Sequence, residues 1–235
     1  MSLIRMNKEN GFFVVRKCVR ISVSKYLWRN AVGNLLSKGI EAEEQRTGRN
    51  KETSINHTYI EGGEFRKKFD SISDDKELNK LIYTLAKQML IHRSGTLYED
   101  MYWIDYDECE VVAKEIDSRI ERKIIYSDAT KKVIEAYKKS PDKTLITIHS
   151  HPSSFPPSID DFMANYDNDY TLGLVVCHNG SIFMYAASEA INSDYYNLVV
   201  ADYIKDGYND YEAQIKAINE LQKNFDIIFK EVVAL

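Results

Sequence analysis

The sequence predicts a mixed α/β fold in which a central β-sheet is flanked by helices. Three observations predict it. Apolar residues recur at helical spacing over residues 78–91, short apolar runs rich in β-branched residues mark buried strands at residues 145–148 and 172–177, and the two patterns alternate along the chain. With 44% apolar residues, the 235-residue chain can also bury a sizeable core.

Residues 1–72 are predicted to form a basic N-terminal extension ahead of the main domain. Within it, residues 12–23 alternate like a strand, residues 24–39 fit an amphipathic helix with a basic side, and residues 41–58 are polar enough for a surface loop. The extension could bind a partner, although a helix that packs on the core explains its pattern at least as well.

The main domain is predicted to span residues 73–190, and it opens with the helix at residues 78–91, for which Ser73, Asp74 and Asp75 offer capping side chains. The elements predicted after it are strands at residues 98–104, 110–116 and 120–126, a helix at residues 128–139, the strand at residues 145–148, a helix at residues 158–166, and a hairpin of residues 172–177 and 181–186.

The hairpin is predicted to turn at Asn179-Gly180, because this pair favours positive φ angles. His178 lies in the same turn and is interpreted as a turn residue rather than a metal ligand. Residues 191–235 are predicted to form a C-terminal helical extension that Gly207 divides.

Two histidines follow the strand at residues 145–148. Side chains two residues apart in a strand point to one face, so His149 and His151 project together while Ser150 points away. Pro152 then forbids further ladder pairing, which ends the strand. The sequence thus places two imidazoles side by side at the end of a buried strand.

A carboxylate follows within one helical turn. Ser158 is a good N-cap for the next helix, and Asp161 in its first turn can swing back toward His149 and His151. Two neutral imidazoles and one carboxylate are the donor set of a catalytic zinc site with a fourth position for water. The competing interpretation is that Ser158 and Asp161 form only a capping box and that the histidines pair by chance.

The order His149-Ser150-His151-Pro152, a spacer, and Ser158-Ile159-Asp160-Asp161 resembles the signature of the JAMM/MPN (JAB-domain) zinc metalloproteases, His-x-His-Pro followed by Ser-x-x-Asp. The spacer is one residue shorter than in the eukaryotic deubiquitinating members and is more similar to that of bacterial and phage JAB domains. The resemblance covers residues 73–187, half the chain. It implies a JAB-like core with His149, His151 and Asp161 as zinc ligands.

The resemblance also implies an upstream glutamate that acts as general base. Glu99 matches it, because it follows the helix at residues 78–91 and stands at the start of a predicted strand. Four other acids lie near enough in sequence to compete with it, namely Asp100, Glu108, Glu110 and Glu115.

By the same resemblance the reaction is hydrolysis of a peptide or isopeptide bond in a protein or peptide substrate, such as a protein that carries a ubiquitin-like modifier or a phage-associated protein. Glu99 would take the proton of the attacking water and pass it to the leaving amine, and Ser158 would support the oxyanion.

Two functions of other classes fit the same pattern. One is a non-catalytic JAB-fold interaction module, against which the complete ligand set argues. The other is a DNA-associated protein similar to the RadC branch, against which the absence of a nucleic-acid-binding motif argues. Lys and Arg number 14 against 8 Asp and Glu in residues 1–70, a net +6, and 17 against 28 in residues 71–235, a net −11, which sum to −5. An arm this mildly basic on an acidic body makes nucleic acid a poor partner.

Cysteine usage and hydropathy bear on where the protein works. Cys18, Cys109 and Cys177 are widely spaced, which argues for a reducing compartment and against a cysteine-ligated zinc. No stretch approaches the ~20 apolar residues that a membrane span needs. We therefore expect a cytoplasmic protein without a membrane anchor.

Overall fold

The computed structural model describes residues 51–140 and 143–234, which form a six-stranded mixed sheet with helices on both faces. After a 3₁₀ turn at Lys51–Thr53, the helices are α1 (His57–Ile60), α2 (Gly63–Phe69), α3 (Lys76–Arg93), α4 (Asp128–Lys138), α5 (Ile159–Asp167), α6 (Ser193–Lys205) and α7 (Asp210–Asn224). The strands are β1 (Met101–Asp105), β2 (Glu110–Glu115), β3 (Leu145–His151), β4 (Leu172–Cys177), β5 (Ile182–Ala187) and β6 (Ile227–Glu231). The predicted mixed α/β class is confirmed.

The strand order across the sheet is β2-β1-β3-β4-β5-β6. Strands β3 and β4 are parallel, and α5 makes the crossover between them, whereas every other neighbouring pair in this sheet is antiparallel. A parallel pair needs such a crossover, since a tight turn joins only antiparallel strands. The crossover starts directly after β3, so that the C-terminal end of β3 and the start of α5 lie close together at one end of the strands.

The two faces of the sheet carry separate hydrophobic layers. Alternate side chains of the inner strands, including Tyr102, Ile146, Ile148, Leu174 and Met184, pack with α1, α2 and α3. The residues between them point to the other face, where Val175, Phe183 and Tyr185 pack with α5, α6 and α7, and Met101 and Trp103 pack with α4. A sheet covered on both faces explains why β3, β4 and most of β5 are buried.

The predicted helices at residues 78–91 and 128–139 are present as α3 and α4. Asp75 caps α3 by accepting from the N–H groups of Glu77 and Leu78. Ser127 caps α4 by accepting from Thr130 N–H. Both caps satisfy main-chain donors that have no partner inside the helix.

Part of the predicted N-terminal extension belongs to the core. Ile60 of α1 and Phe65 and Phe69 of α2 are buried in the same hydrophobic layer as α3. The strand and helix predicted within residues 12–39 lie outside the described residues, as does most of the predicted loop. The division at residue 72 stays a prediction.

The prediction of a strand at residues 120–126 is wrong, because this segment is irregular. Arg122 adopts a φ of 53° and its N–H donates to the Leu97 carbonyl, which breaks the extended conformation. Ile124 packs against the Trp103 layer while Ile125 is exposed. Strand β1 also starts later than predicted, at Met101, so that Glu99 lies just before the strand.

The predicted hairpin is present as β4 and β5, but the positive φ lies at Gly180 (86°) and not at Asn179. His178 is buried in the turn with its Nδ1 2.6 Å from the Thr53 carbonyl oxygen, as expected of a turn residue. The C-terminal region contains the two predicted helices, divided at Gly207, and also a strand that was not predicted. This strand, β6, pairs with β5.

Cys177 is a buried free thiol. Within the described ranges, no helix combines the length and the apolar character needed to cross a lipid bilayer.

Candidate metal centre

His149 and His151 lie at the C-terminal end of β3, where main-chain pairing to β1 and β4 holds the strand on both sides. Their Nε2 atoms lie 3.1 Å apart, and both residues are buried. Between them, Ser150 points to the opposite face, as the sequence predicts, and its Oγ accepts a hydrogen bond from Asp100 N–H. A strand fixed by neighbours on two sides is a rigid support for ligands.

Asp161 reaches the histidines from the first turn of α5. Its Oδ1 lies 3.2 Å from His149 Nε2, and its Oδ2 lies 3.5 Å from His151 Nε2. The ligand atoms of a tetrahedral ion with bonds of about 2.0–2.1 Å are about 3.3–3.4 Å apart. The three distances lie near this range, with Oδ1 of Asp161 closer to His149 and Oδ2 closer to His151, and the three side chains form a group that could hold a metal ion.

The capping box that competes with the ligand interpretation is also present. Ser158 N–H and Oγ donate to Asp161 Oδ2 at 2.6 and 2.7 Å, and Asp161 N–H donates to Ser158 Oγ. Both bonds to the carboxylate use Oδ2, whereas Oδ1 faces His149. One carboxylate can thus cap α5 with one oxygen and serve as a ligand with the other.

The surroundings orient one imidazole more firmly than the other. His151 Nδ1 lies 3.1 Å from the Phe155 carbonyl oxygen, an arrangement that leaves Nε2 as the ligand atom. His149 Nδ1 is buried without a hydrogen-bond partner among the described residues. In both rings, Nε2 is the atom directed at Asp161.

The electrostatics of the group favour positive charge at its centre. Burial lowers the pKa of His151, but the hydrogen bond and charge of Asp161 outweigh burial and raise it to about 9. Burial raises the pKa of Asp161, but the charges of His149 and His151 and their hydrogen bonds hold it well below its usual range. A bound cation would supply that positive charge and displace the imidazole protons.

Glu99 lies on the side of the sheet that carries the two histidines. Met101 pairs with His149, so that continuation of the antiparallel register places Glu99 opposite His151. Glu99 is only 7% exposed. Burial raises its pKa, while the positive charge of His151 and His149 opposes that rise. A carboxyl group with a raised pKa is suited to accept and return a proton.

The other acids considered from the sequence lie elsewhere. Asp100 points to the opposite face and pairs with Arg93 and His92. Glu110 is exposed, and Glu115 accepts from Ser127 and Thr130 at the start of α4. Glu99 is the member of this set that lines the cleft containing the histidines.

An open cleft of about 580 Å³ surrounds His149, His151 and Asp161. Much of its wall comes from parts of the chain for which the sequence predicted no role in the site. The irregular segment contributes Arg122, Lys123, Ile124 and Tyr126, and α7 contributes Asp210 and Gln214. Tyr170 and Tyr185 also line it, and the ring centroid of Tyr185 lies 6.3 Å from that of His149. No local pattern marks these residues, because only the packing of distant elements brings them to the cleft.

The donor set fits a metal of borderline softness. Two imidazole nitrogens and one carboxylate oxygen suit zinc and several other divalent transition metals, and the cleft leaves a fourth position open to water or substrate. Ser158 is exposed and its hydroxyl donates to Asp161, so it would have to rotate in order to donate to a substrate oxygen.

Comparison with protein-family models, with curated proteins and with solved structures finds no match for this chain.

Proposed function

We propose that the chain is a zinc-dependent hydrolase of the JAMM type, which cleaves a peptide or isopeptide bond in a protein or peptide substrate. The observation that carries the proposal is the close approach of His149, His151 and Asp161, whose nitrogen and oxygen atoms lie 3.1, 3.2 and 3.5 Å apart, with the buried Glu99 on the same side of the sheet. If the two histidines were paired by chance and Asp161 served only as a cap, there would be no reason for a buried carboxyl group to face them.

In such sites zinc makes water ionisable near neutral pH and polarises a carbonyl group. The residues of the chain supply the rest. Glu99 accepts a proton from the attacking water and delivers it to the leaving amine, so that the water adds across the C–N bond and the products are a carboxylic acid and an amine. Burial raises the pKa of Glu99, which strengthens the affinity of this carboxylate for the proton that it accepts.

The walls of the cleft orient the substrate. The cleft is open to solvent and is lined both by the irregular segment at Arg122 and by the start of α7 at Asp210, so that a chain bound beside the histidines would meet side chains from both. A folded modifier with a flexible tail could present its scissile bond in the same way. We therefore propose a protein partner with an accessible tail, such as a ubiquitin-like modifier, as the substrate class.

The first test measures zinc by elemental analysis. The wild type should hold about one zinc per chain, and the double variant His149→Ala/His151→Ala should hold almost none. The variant His57→Ala is the matched control, because His57 is an exposed histidine on α1. Zinc retained in the double variant would refute the ligand assignment. A wild type that takes up no zinc would favour the capping-box interpretation and a binding module.

The second test concerns Glu99. The variant Glu99→Gln should keep zinc but lose on the order of 10²–10⁴-fold in hydrolysis, since the amide cannot carry the proton. The assay compares the variant with the wild type on peptide substrates and on isopeptide-linked ubiquitin-like conjugates. Turnover near that of the wild type would remove Glu99 from the proposed role.

A further inference from the structure

A buried polar cluster lies behind the candidate metal centre, on the opposite face of β1 and β3. Asp100 is 1% exposed and is held by two basic side chains from the last turn of α3. Arg93 donates from its Nε to Asp100 Oδ1, and His92 Nδ1 lies 2.6 Å from Asp100 Oδ2. Arg93 also donates to the Ile116 carbonyl at 2.5 Å, just beyond β2. The cluster thus joins α3 to the two strands at this edge of the sheet.

The cluster is bonded to β3 at the residue between the two candidate ligands. Asp100 N–H donates to Ser150 Oγ, and Ser150 N–H donates to the Asp100 carbonyl, both at 3.0 Å. Ser150 is fully buried. The hydroxyl of Ser150 therefore takes the place of a main-chain acceptor at the point where regular pairing of β1 ends.

The register at this pairing places Glu99, and not its neighbour Asp100, in the cleft. In the observed register Met101 faces His149, Asp100 faces Ser150, and Glu99 falls opposite His151. A slip of one residue would turn Glu99 toward α3 and bring Asp100 into the cleft beside the carboxylate of Asp161. The two acids are neighbours in sequence, so local pattern alone does not choose between them.

We infer that Asp100, held by Arg93 and bonded to Ser150, is a positioning residue that sets the register of the Glu99 segment on β3 and so aims Glu99 at the metal ligands. This inference rests on the proposed function. A buried ion pair is weak evidence for stability, because desolvation offsets much of its attraction, but its directional bonds can select one arrangement over another. The register of Glu99 against β3 is the arrangement that this ion pair selects.

The test uses two variants of the cluster and a matched control for each. Ser150→Ala removes one buried hydroxyl, and its control Ser94→Ala removes another that accepts from Ile55 N–H. Asp100→Asn removes one buried carboxylate, and its control Asp105→Asn removes the buried carboxylate at the far end of β1, which accepts from Tyr137. Ser150→Ala leaves no buried charge unpaired, so it is informative even where Asp100→Asn folds poorly.

The readout requires no substrate. Cobalt(II) replaces zinc in tetrahedral sites, and its visible absorption changes with pH as a group at the metal ionises. Glu99→Gln sets the reference, since loss of a nearby negative charge lowers the midpoint of that change. We expect Ser150→Ala and Asp100→Asn to displace Glu99 from the metal. Each variant should therefore move the pH midpoint of the absorption change at least halfway from the wild-type value to that of Glu99→Gln, while the affinity for cobalt stays unchanged. Ser94→Ala and Asp105→Asn should keep the wild-type midpoint.

A wild-type midpoint in Ser150→Ala, or an equal shift in the controls, would overturn the positioning role while leaving the proposed function intact. A wild type that binds no cobalt, or a Glu99→Gln variant without a shift, would instead refute the proposed function and the inference with it. On an active substrate, Ser150→Ala should lower kcat by on the order of 10²-fold with little change in KM, as expected of a misplaced catalytic group.

Discussion

At the scale of single residues, Asp161 shows how one side chain can have two roles. Its Oδ2 accepts from the N–H and hydroxyl of Ser158, which satisfies the start of α5, and its Oδ1 faces His149. The cap also holds the carboxylate in place, because a side chain that accepts two hydrogen bonds has little rotational freedom left. Stability of α5 and orientation of the candidate ligand Asp161 therefore depend on the same serine.

Replacement of Ser158 should separate these contributions. Ser158→Ala should lower the free energy of unfolding of the metal-free protein by about 0.5–2 kcal/mol, and Ser158→Thr should restore most of it. Both are measured by urea denaturation. The matched control Asn192→Ala removes the cap of α6, which accepts from Asp194 and Tyr195 N–H, and should cost a similar amount without a change in zinc affinity.

For Ser158→Ala we expect weaker zinc binding as well, since the Asp161 carboxylate keeps the hydrogen bond from the main-chain N–H of residue 158 but loses the one from the hydroxyl. Zinc affinity equal to that of Asn192→Ala would show that the cap does not orient the ligand.

At the scale of elements, Glu115 joins the end of edge strand β2 to the start of α4. Its Oε1 accepts from Ser127 N–H at 2.8 Å and from the Thr130 hydroxyl. Burial raises the pKa of Glu115, but these hydrogen bonds outweigh burial and lower it below its usual value of 4.5. The bonded carboxylate orients α4, which covers Trp103 and the back of the cleft wall.

The lowered pKa fixes the sign of a pH effect. The folded state holds this proton less tightly than the unfolded state, so Glu115 contributes stability above pH 4.5 that is lost as the pH falls through the folded pKa. Glu115→Gln should cost about 1 kcal/mol at neutral pH, given partial solvent screening, and the difference from the wild type should shrink below pH 4.5. Chemical denaturation at several pH values measures it.

The control is Glu110→Gln, at the exposed start of the same strand. A constant difference between wild type and Glu115→Gln from pH 7 to pH 3 would show that the carboxylate does not act through its ionisation.

At the scale of the whole molecule, the last strand completes the sheet. Phe229 stacks on Phe183 with ring centroids 5.7 Å apart, and Ile227 and Val232 are buried. Val232 belongs to the same hydrophobic layer as α1, α2 and α3. The C-terminal region is therefore part of the core on both faces of the sheet, and contacts also cross the predicted boundary at residue 190.

Truncation tests this dependence. A chain that ends at Phe225 should lose roughly 1.5–3 kcal/mol for each of the buried side chains Ile227, Phe229 and Val232, a sum comparable to the whole stability of a domain. It would also expose the edge of β5 to pairing with other chains. We expect loss of cooperative thermal unfolding and aggregation, measured by circular dichroism and size-exclusion chromatography.

A chain that ends at Val233 is the control and should behave as the full chain does. A folded, monomeric chain ending at Phe225 would support the alternative, in which residues 191–235 are a separable extension.

The sequence by itself determined the elements whose signals are local. Helical periodicity and capping residues predicted α3, α4 and α5, β-branched runs predicted β3 and β4, and the Asn179-Gly180 turn predicted the return strand β5. Each signal depends on residues within a few positions of one another. The same locality made His149, His151, Ser158 and Asp161 visible, since one strand end, one turn and one helix start carry all four.

Only the tertiary structure decided what depends on contacts between distant parts of the chain. Residues 120–126, predicted to be a strand, are irregular and form part of the cleft wall, and a strand that the sequence did not predict, β6, pairs at the end of the sheet. The tertiary structure also decided between Glu99, which the sequence favoured, and the neighbouring Asp100, because it placed Glu99 in the cleft and turned Asp100 to the opposite face. That selection rests on the pairing of Asp100 with Ser150 and Arg93, and register between strands is a property of the assembled sheet, which local sequence does not encode.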